Sequence, residues 1–194
     1  DQVGMVEYAD VYPHQLSGGM LQRVLIAMAF ASNPRLVIAD EPTTALDVTI
    51  QKKVVELIAR TRELHNTSVL FITHDLQLAA EICDDVSVLY AGRIVETGSA
   101  HRIINAPRHP YSRCLNLATP NLTGPMAPLM ILPKTMPGPV ERTEMQGCEF
   151  AARCPLVEDL CQTSRPPLAE SAPGHWSACH WPERTGSVRA PAET

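Results

Sequence analysis

The run Leu36-Val37-Ile38-Ala39-Asp40-Glu41-Pro42-Thr43-Thr44 decides the fold. Its four apolar residues after Arg35 are too few for a helix and read as a strand buried on both faces, which ends in two acids and a polar loop. Upstream, residues 17–31 place Leu21, Val24, Leu25, Met28 and Ala31 on one helical face, and Asn33-Pro34 closes that helix. Downstream, residues 50–64 alternate as an amphipathic helix, with Val54, Leu57, Ile58 and Leu64 apolar and Lys52, Lys53, Glu56 and Arg60 solvated. Residues 68–73 form a second buried strand with His74-Asp75 at its end, and residues 76–83 a third helix. Two further strands, 86–90 and 93–96, flank the Ala91-Gly92 turn. Helices and buried strands in alternation predict an α/β domain with a mostly parallel sheet.

Three features along this pattern carry chemistry. Asp40 and Glu41 follow a strand, where one carboxylate can serve Mg²⁺ and the next can polarise a water for phosphoryl transfer; two carboxylates merely solvated by a loop is the plainer reading. His74 ends the second strand, and ligands of open α/β sheets sit at the carboxyl ends of strands. A structural hydrogen-bond partner is the alternative there. Ser17-Gly18-Gly19 opens the first helix with a serine cap and two residues lacking side chains. Such a bare helix start suits an anion, although Ser-Gly-Gly also occurs as simple punctuation.

The 194 residues allow one sizeable core and an appendage. A net charge of −5 with no dense basic run gives no electrostatic footprint for nucleic acid. No apolar run approaches a membrane span and no leader pattern is visible, so the expectation is a soluble, cytoplasmic chain whose membrane association comes through a partner. Asp1 in place of a methionine, with no domain start before Val11, suggests the C-terminal part of something longer. Of 17 prolines, twelve lie from Pro120 onward, and no helical or strand period survives across residues 119–146. That stretch reads as an extended linker, residues 147–181 as an irregular cysteine-rich segment, and residues 182–194 as a disordered tail. Cys148, Cys154, Cys161 and Cys179 cluster, with gaps of 5, 6 and 17 residues. In a cytosolic chain this favours a metal over disulfides. The gaps exceed the short pairs usual for structural zinc, which tilts the reading toward a 4Fe–4S cluster; Zn²⁺, with His175 or His180 as further ligands, stays open. Four reduced, unligated thiols are the weaker alternative, because a proline-rich tail buries little apolar area to keep them inert. Cys83 and Cys114 read as packing residues.

Leu16-Ser17-Gly18-Gly19-Met20 resembles the signature motif of ABC transporter ATPases, and residues 36–41 resemble their Walker B strand. Thr44-Ala45-Leu46-Asp47 is similar to the D-loop, and Thr73-His74-Asp75 to the switch histidine. Pro107-Arg108-His109-Pro110-Tyr111-Ser112 and the cysteine block resemble the extension of oligopeptide and dipeptide (and nickel) permease ATPases. The resemblance implies a partial P-loop NTPase core over residues 1–106, an extension and linker over 107–146, and the cysteine segment behind it. It implies ATP and Mg²⁺ as ligands, with Glu41 as general base, Asp40 serving Mg²⁺ and His74 contacting the γ-phosphate. Ser17, Gly18, Gly19 and Gln22 would face the ATP of an opposite subunit, and Asp47 would communicate between the two sites of a head-to-tail dimer. Two membrane permease subunits and, indirectly, an extracytoplasmic peptide-binding protein are the implied partners, at the cytoplasmic face of the inner membrane. The family's Gly-x-x-x-x-Gly-Lys-Ser/Thr loop has no match, since none of the lysines (52, 53 and 134) follows a glycine. Residues 1–194 alone are therefore expected to be inactive. A non-catalytic regulatory module that lends its signature turn to a complete partner is the alternative function. A non-transport ABC ATPase is a weaker one.

Overall fold

The computed structural model describes residues 2–44, 46–119, 129–133 and 135–190, which gather into two units, 1–75 and 76–194.

In the first unit, helix α1 (Gly18–Phe30) starts at Ser17, whose hydroxyl accepts from the Met20 N–H at 3.4 Å. Strands β1 (Leu36–Asp40) and β2 (Ser68–Ile72) pair in parallel, with Asp40 opposite Ile72. Helix α2 (Val48–His65) joins them; Asp47 Oδ1 caps its start by accepting from Ile50 N–H at 3.0 Å, and Asn66 ends it in the left-handed region at φ 49°. The helices cover one face of the strand pair, where Val37, Val69 and Phe71 pack on Ile26, Phe30, Val54, Leu57 and Ile58. The expectation of strands buried on both faces is corrected here: Leu36, Ile38, Leu70 and Ile72 on the opposite face are exposed. The inward face of α1 is likewise shifted. Ile26 and Phe30 are buried while Leu25 and Met28 are exposed, because two interleaved apolar rows satisfy the same 3.6-residue period and only packing chooses between them.

The second unit begins with α3 (Leu76–Ile82), followed by the hairpin β3 (Asp85–Tyr90) and β4 (Arg93–Ser99). Ala91 and Gly92 both have positive φ, 51° and 81°, as a tight two-residue hairpin turn requires. Helices α4 (Ala100–Asn105), α5 (Pro110–Ala118), α6 (Pro139–Glu144) and α7 (Asp159–Thr163) lead to the hairpin β5 (Ala169–Ala172) and β6 (His175–Ser177). All four strands form one antiparallel sheet in the order β3-β4-β6-β5.

This corrects the mostly parallel sheet: the parallel pairing is confined to β1 and β2, and the larger sheet is antiparallel. Strands β5 and β6 were hidden because Ala169-Glu170-Ser171-Ala172 has no apolar alternation; β6 is short and held by its pairing with β4. The cysteine-rich segment is thus less irregular than its composition suggests. Likewise α6 stands inside the stretch read as linker, started by Pro139 and by Glu141 accepting from Gly138 N–H at 2.7 Å. Residues 120–128 and 134 of that linker lie outside the described residues, as do 191–194 of the tail. Residues 182–187 form a 3-10 helix with Thr185 buried, and Val188 joins the core, so this part of the tail is ordered. That core comprises Val88, Tyr90, Val95, Ile103, Cys114, Phe150 and Val188. Among the described residues no helix is long and apolar enough to cross a membrane.

Candidate active site and cysteine pocket

The first site lies where β1 and β2 end. Glu41 continues β1 by donating its N–H to Ile72 O at 2.9 Å, then turns into the left-handed region at φ 46°. A non-glycine residue held there carries backbone strain, and such strain gathers at functional positions. Its carboxylate faces the end of β2, where Oε1 accepts from His74 N–H at 3.1 Å and stands 2.8 Å from His74 Nδ1. Oε2 accepts from Thr44 Oγ1 at 3.0 Å. The hydrogen bond from His74, assisted by the Thr44 hydroxyl, holds the Glu41 carboxyl below the usual carboxylate range, and the same contact raises His74. Both remain accessible, His74 more so, with 81% of its side chain exposed against 36% for Glu41. The arrangement is an ionised carboxylate held by three donors at a strand end, with the far edge of an imidazole open to solvent. It can polarise a water and donate to an anion.

Asp40, the last residue of β1, is exposed. Gly18 and Gly19, at the start of α1, approach the loop that leaves Glu41. A Cβ on Gly18 would stand 3.8 Å from Leu46, and one on Gly19 would meet Ile50 Cγ2 at 2.8 Å. A side chain at Gly19 would therefore have to displace Ile50 as well as cover the helix start. Ser17 spends its hydroxyl on the Met20 cap, Asp47 spends a carboxylate oxygen on the α2 cap, and Gln22 is half-buried on α1.

In the second unit Cys148, Cys154, Cys161 and Cys179 line one small cavity, together with His109, Phe150, Leu156, His180 and Trp181. The chain crosses itself tightly there: Cys148 N–H donates to Cys161 O at 2.7 Å, and a Cβ on Gly147 would lie 2.3 Å from that oxygen. Burial pushes Cys154 up to about 12 and Cys179 up to about 11, and raises Cys148. Backbone N–H groups of Leu156, Trp181, Phe150 and Ala151 act in the opposite direction at these sulfurs, with Leu156 N–H 3.4 Å from Cys154 Sγ. No group of three or more ligand-type side chains among the described residues is disposed around a metal position. His109 caps α5 through Nδ1, which accepts from Tyr111 N–H at 3.1 Å, and burial lowers its pKa to about 3.

Residues 1–44 match the family model described as ABC transporter, and residues 95–161 match that of the oligopeptide/dipeptide transporter C-terminal region. The chain is also 49% identical over 185 residues to the dipeptide transport ATP-binding protein DppD of Escherichia coli (strain K12), covering 94% of this chain and 56% of that one.

The chain belongs to the ABC transporter family.

It is 45% identical to the oligopeptide transport ATP-binding protein OppD of the same strain over 172 residues, 89% of this chain and 50% of that protein. With AppD of Bacillus subtilis (strain 168) it shares 44% over 179 residues, 92% and 54% of the two chains. This ABC chain thus spans about half the length of the curated relatives it matches. Of the residues singled out in the sequence, the fold brings Glu41 and His74 together, sets the Gly18-Gly19 helix start beside the loop leaving Glu41, and gathers the four clustered cysteines.

Sequence reasoning missed three polar anchors of this ABC chain. Thr44 was subsumed in a motif, although a hydroxyl three residues after Glu41 in a turn was a usable signal. Buried Glu96, on β4, accepts from the N–H groups of Arg108 at 2.5 Å and His109 at 3.1 Å, and lies 2.6 Å from His175 Nε2. Buried Glu149, beside Cys148, pairs with Arg93 and Arg165, each at 2.8 Å. Both carboxylates connect segments 50 or more residues apart, and no local pattern announces such partners.

Proposed function

We propose that the protein carrying this chain hydrolyses ATP to drive import of dipeptides or oligopeptides. The observation that carries this reading is the Glu41 carboxylate, held by His74 at 2.8 Å at the end of a strand. Glu41 acts as the general base that orients water against the γ-phosphate. His74, with its raised affinity for a proton, keeps Nδ1 on Glu41 and presents Nε2 to the phosphate. Asp40, exposed at the end of β1, would hold Mg²⁺, which would supply charge neutralisation at the phosphates. The Ser17-Gly18-Gly19 helix start and Gln22 meet the ATP bound by an opposite subunit, and Asp47 relays between the two sites of the dimer. The phosphate-binding lysine loop must come from residues outside 1–194. Two permease subunits and an extracytoplasmic peptide-binding protein complete the importer, with this subunit peripheral at the cytoplasmic face of the membrane. In the complete subunit assembled with its permease, Glu41→Gln should lower ATP turnover by a factor of about 100 or more. Undiminished turnover would refute the reading and favour a regulatory module that contributes only its signature turn.

We further propose that Cys148, Cys154, Cys161 and Cys179 hold a 4Fe–4S cluster. What supports this reading is that all four thiols line one small cavity, with Leu156 N–H 3.4 Å from Cys154 Sγ; no three of them converge on a metal position here, so binding would have to draw the sulfurs together. Bound, such a cluster supplies four crosslinks to a small core; the chain's own part is to provide the thiolates, the N–H dipoles and the exclusion of water. Anaerobically purified protein should be brown, absorb near about 400 nm and bleach on iron chelation. A colourless protein with stoichiometric zinc would assign the same thiols to Zn²⁺ instead.

A further inference from the structure

The turn from Glu41 to Thr44 holds a contact that these roles leave unused. Thr44 N–H donates to the Glu41 carbonyl at 3.1 Å and closes the turn, while Thr44 Oγ1 donates to Glu41 Oε2 at 3.0 Å. The other oxygen is taken by two donors from His74. An exposed glutamate has freely rotating torsions, and anchoring at Oε1 alone leaves its carboxylate able to pivot about that contact. A second donor on Oε2, coming from the β1 end rather than the β2 end, removes the pivot. Each carboxylate oxygen has two acceptor sites, so Oε2 can take the Thr44 hydroxyl and still face a water.

We propose that Thr44 is a positioning residue for ATP hydrolysis, its hydroxyl fixing the plane of the Glu41 carboxylate against the turn that leads toward Asp47. This rests on the ATPase reading. A misaimed base slows the chemical step and leaves nucleotide binding as it was. The test compares Thr44→Val, which keeps the shape and removes the donor, with Thr44→Ser, which restores the donor, in the complete subunit assembled with its permease. Thr44→Val should lower kcat about ten-fold with the KM for ATP unchanged, and Thr44→Ser should stay within about two-fold of the parent. Parental kcat in Thr44→Val, a serine variant as slow as the valine one, or a loss expressed in KM would each overturn the proposal. Should Thr44→Val not assemble, Thr44→Ala removes the same donor and carries the same comparison. Glu41→Gln, assayed alongside, separates the two layers. If it turns over normally, the ATPase reading itself falls; if it is inactive while Thr44→Val is unimpaired, only the role of Thr44 falls.

Discussion

Glu41 and His74 stand 2.8 Å apart on open surface, whereas Glu96 and His175 stand 2.6 Å apart in the interior of the second unit. The residue types and separations are alike, and the surroundings differ. Glu96 is fully enclosed, and two backbone N–H groups besides His175 satisfy its oxygens, so the start of α5 and strand β6 are both tied to β4. A carboxylate enclosed without water costs several kcal/mol unless donors replace the water, and here the fold supplies three. Glu41 keeps access to solvent, and His74 has an entire ring edge uncovered. The enclosed pair holds segments together; the open pair is left able to act on something that arrives. Burial, rather than pair chemistry, separates a staple from a candidate active site.

The sharpest ways to break this contrast use unfolding free energies. Phe150 is buried with its ring against Tyr90, Tyr111 and His109, at centroid distances of 5.1, 5.4 and 5.8 Å. Phe150→Ala should cost about 3–5 kcal/mol in urea unfolding of the second unit. Glu96→Ala, which strands two N–H groups and an imidazole, should cost about 3 kcal/mol. Glu41→Gln should change stability by no more than about 0.5 kcal/mol, even if it lowers the proposed ATP turnover about 100-fold. A Glu96→Ala cost as small as that of Glu41→Gln would dissolve the distinction.

The smallest expected effect is on titration. His74 is raised above 6.5 and Glu41 lowered below 4.5, so their attraction is complete between those values. It is lost as pH rises through the raised His74 value, and again as pH falls through the lowered Glu41 value. The His74 ring proton followed by NMR should titrate above 6.5, and in Glu41→Gln it should move down toward 6.5. No movement would separate the two side chains in solution.

The candidate active site was legible because its parts are local. Residues 36–41 carry a strand and its two acids in one run, residues 68–74 repeat the arrangement with a histidine, and both strand ends meet through the simplest parallel register, Asp40 opposite Ile72. The antiparallel sheet was legible only as far as the β3–β4 hairpin, whose turn residues are diagnostic. Strand β6 is His175-Trp176-Ser177, three residues without a period, and its partner β4 lies about 80 residues earlier. Helix α6 was obscured by the surrounding prolines, although Pro139 favours a helix start.

By itself the sequence determined the parallel strand pair, the two acids and the histidine at its edge, the capped glycine start of α1, and the clustering of four cysteines. Each depends on residues near one another in the chain, where period, caps and turn chemistry are decided by local sterics and hydrogen bonds. Tertiary structure alone decided which face of α1 turns inward and that residues 169–177 extend an antiparallel sheet. It also decided that Glu96 and Glu149 are enclosed among partners brought from far along the chain. Those outcomes depend on which groups lose water together, and that is set by distant segments meeting rather than by any one stretch of chain.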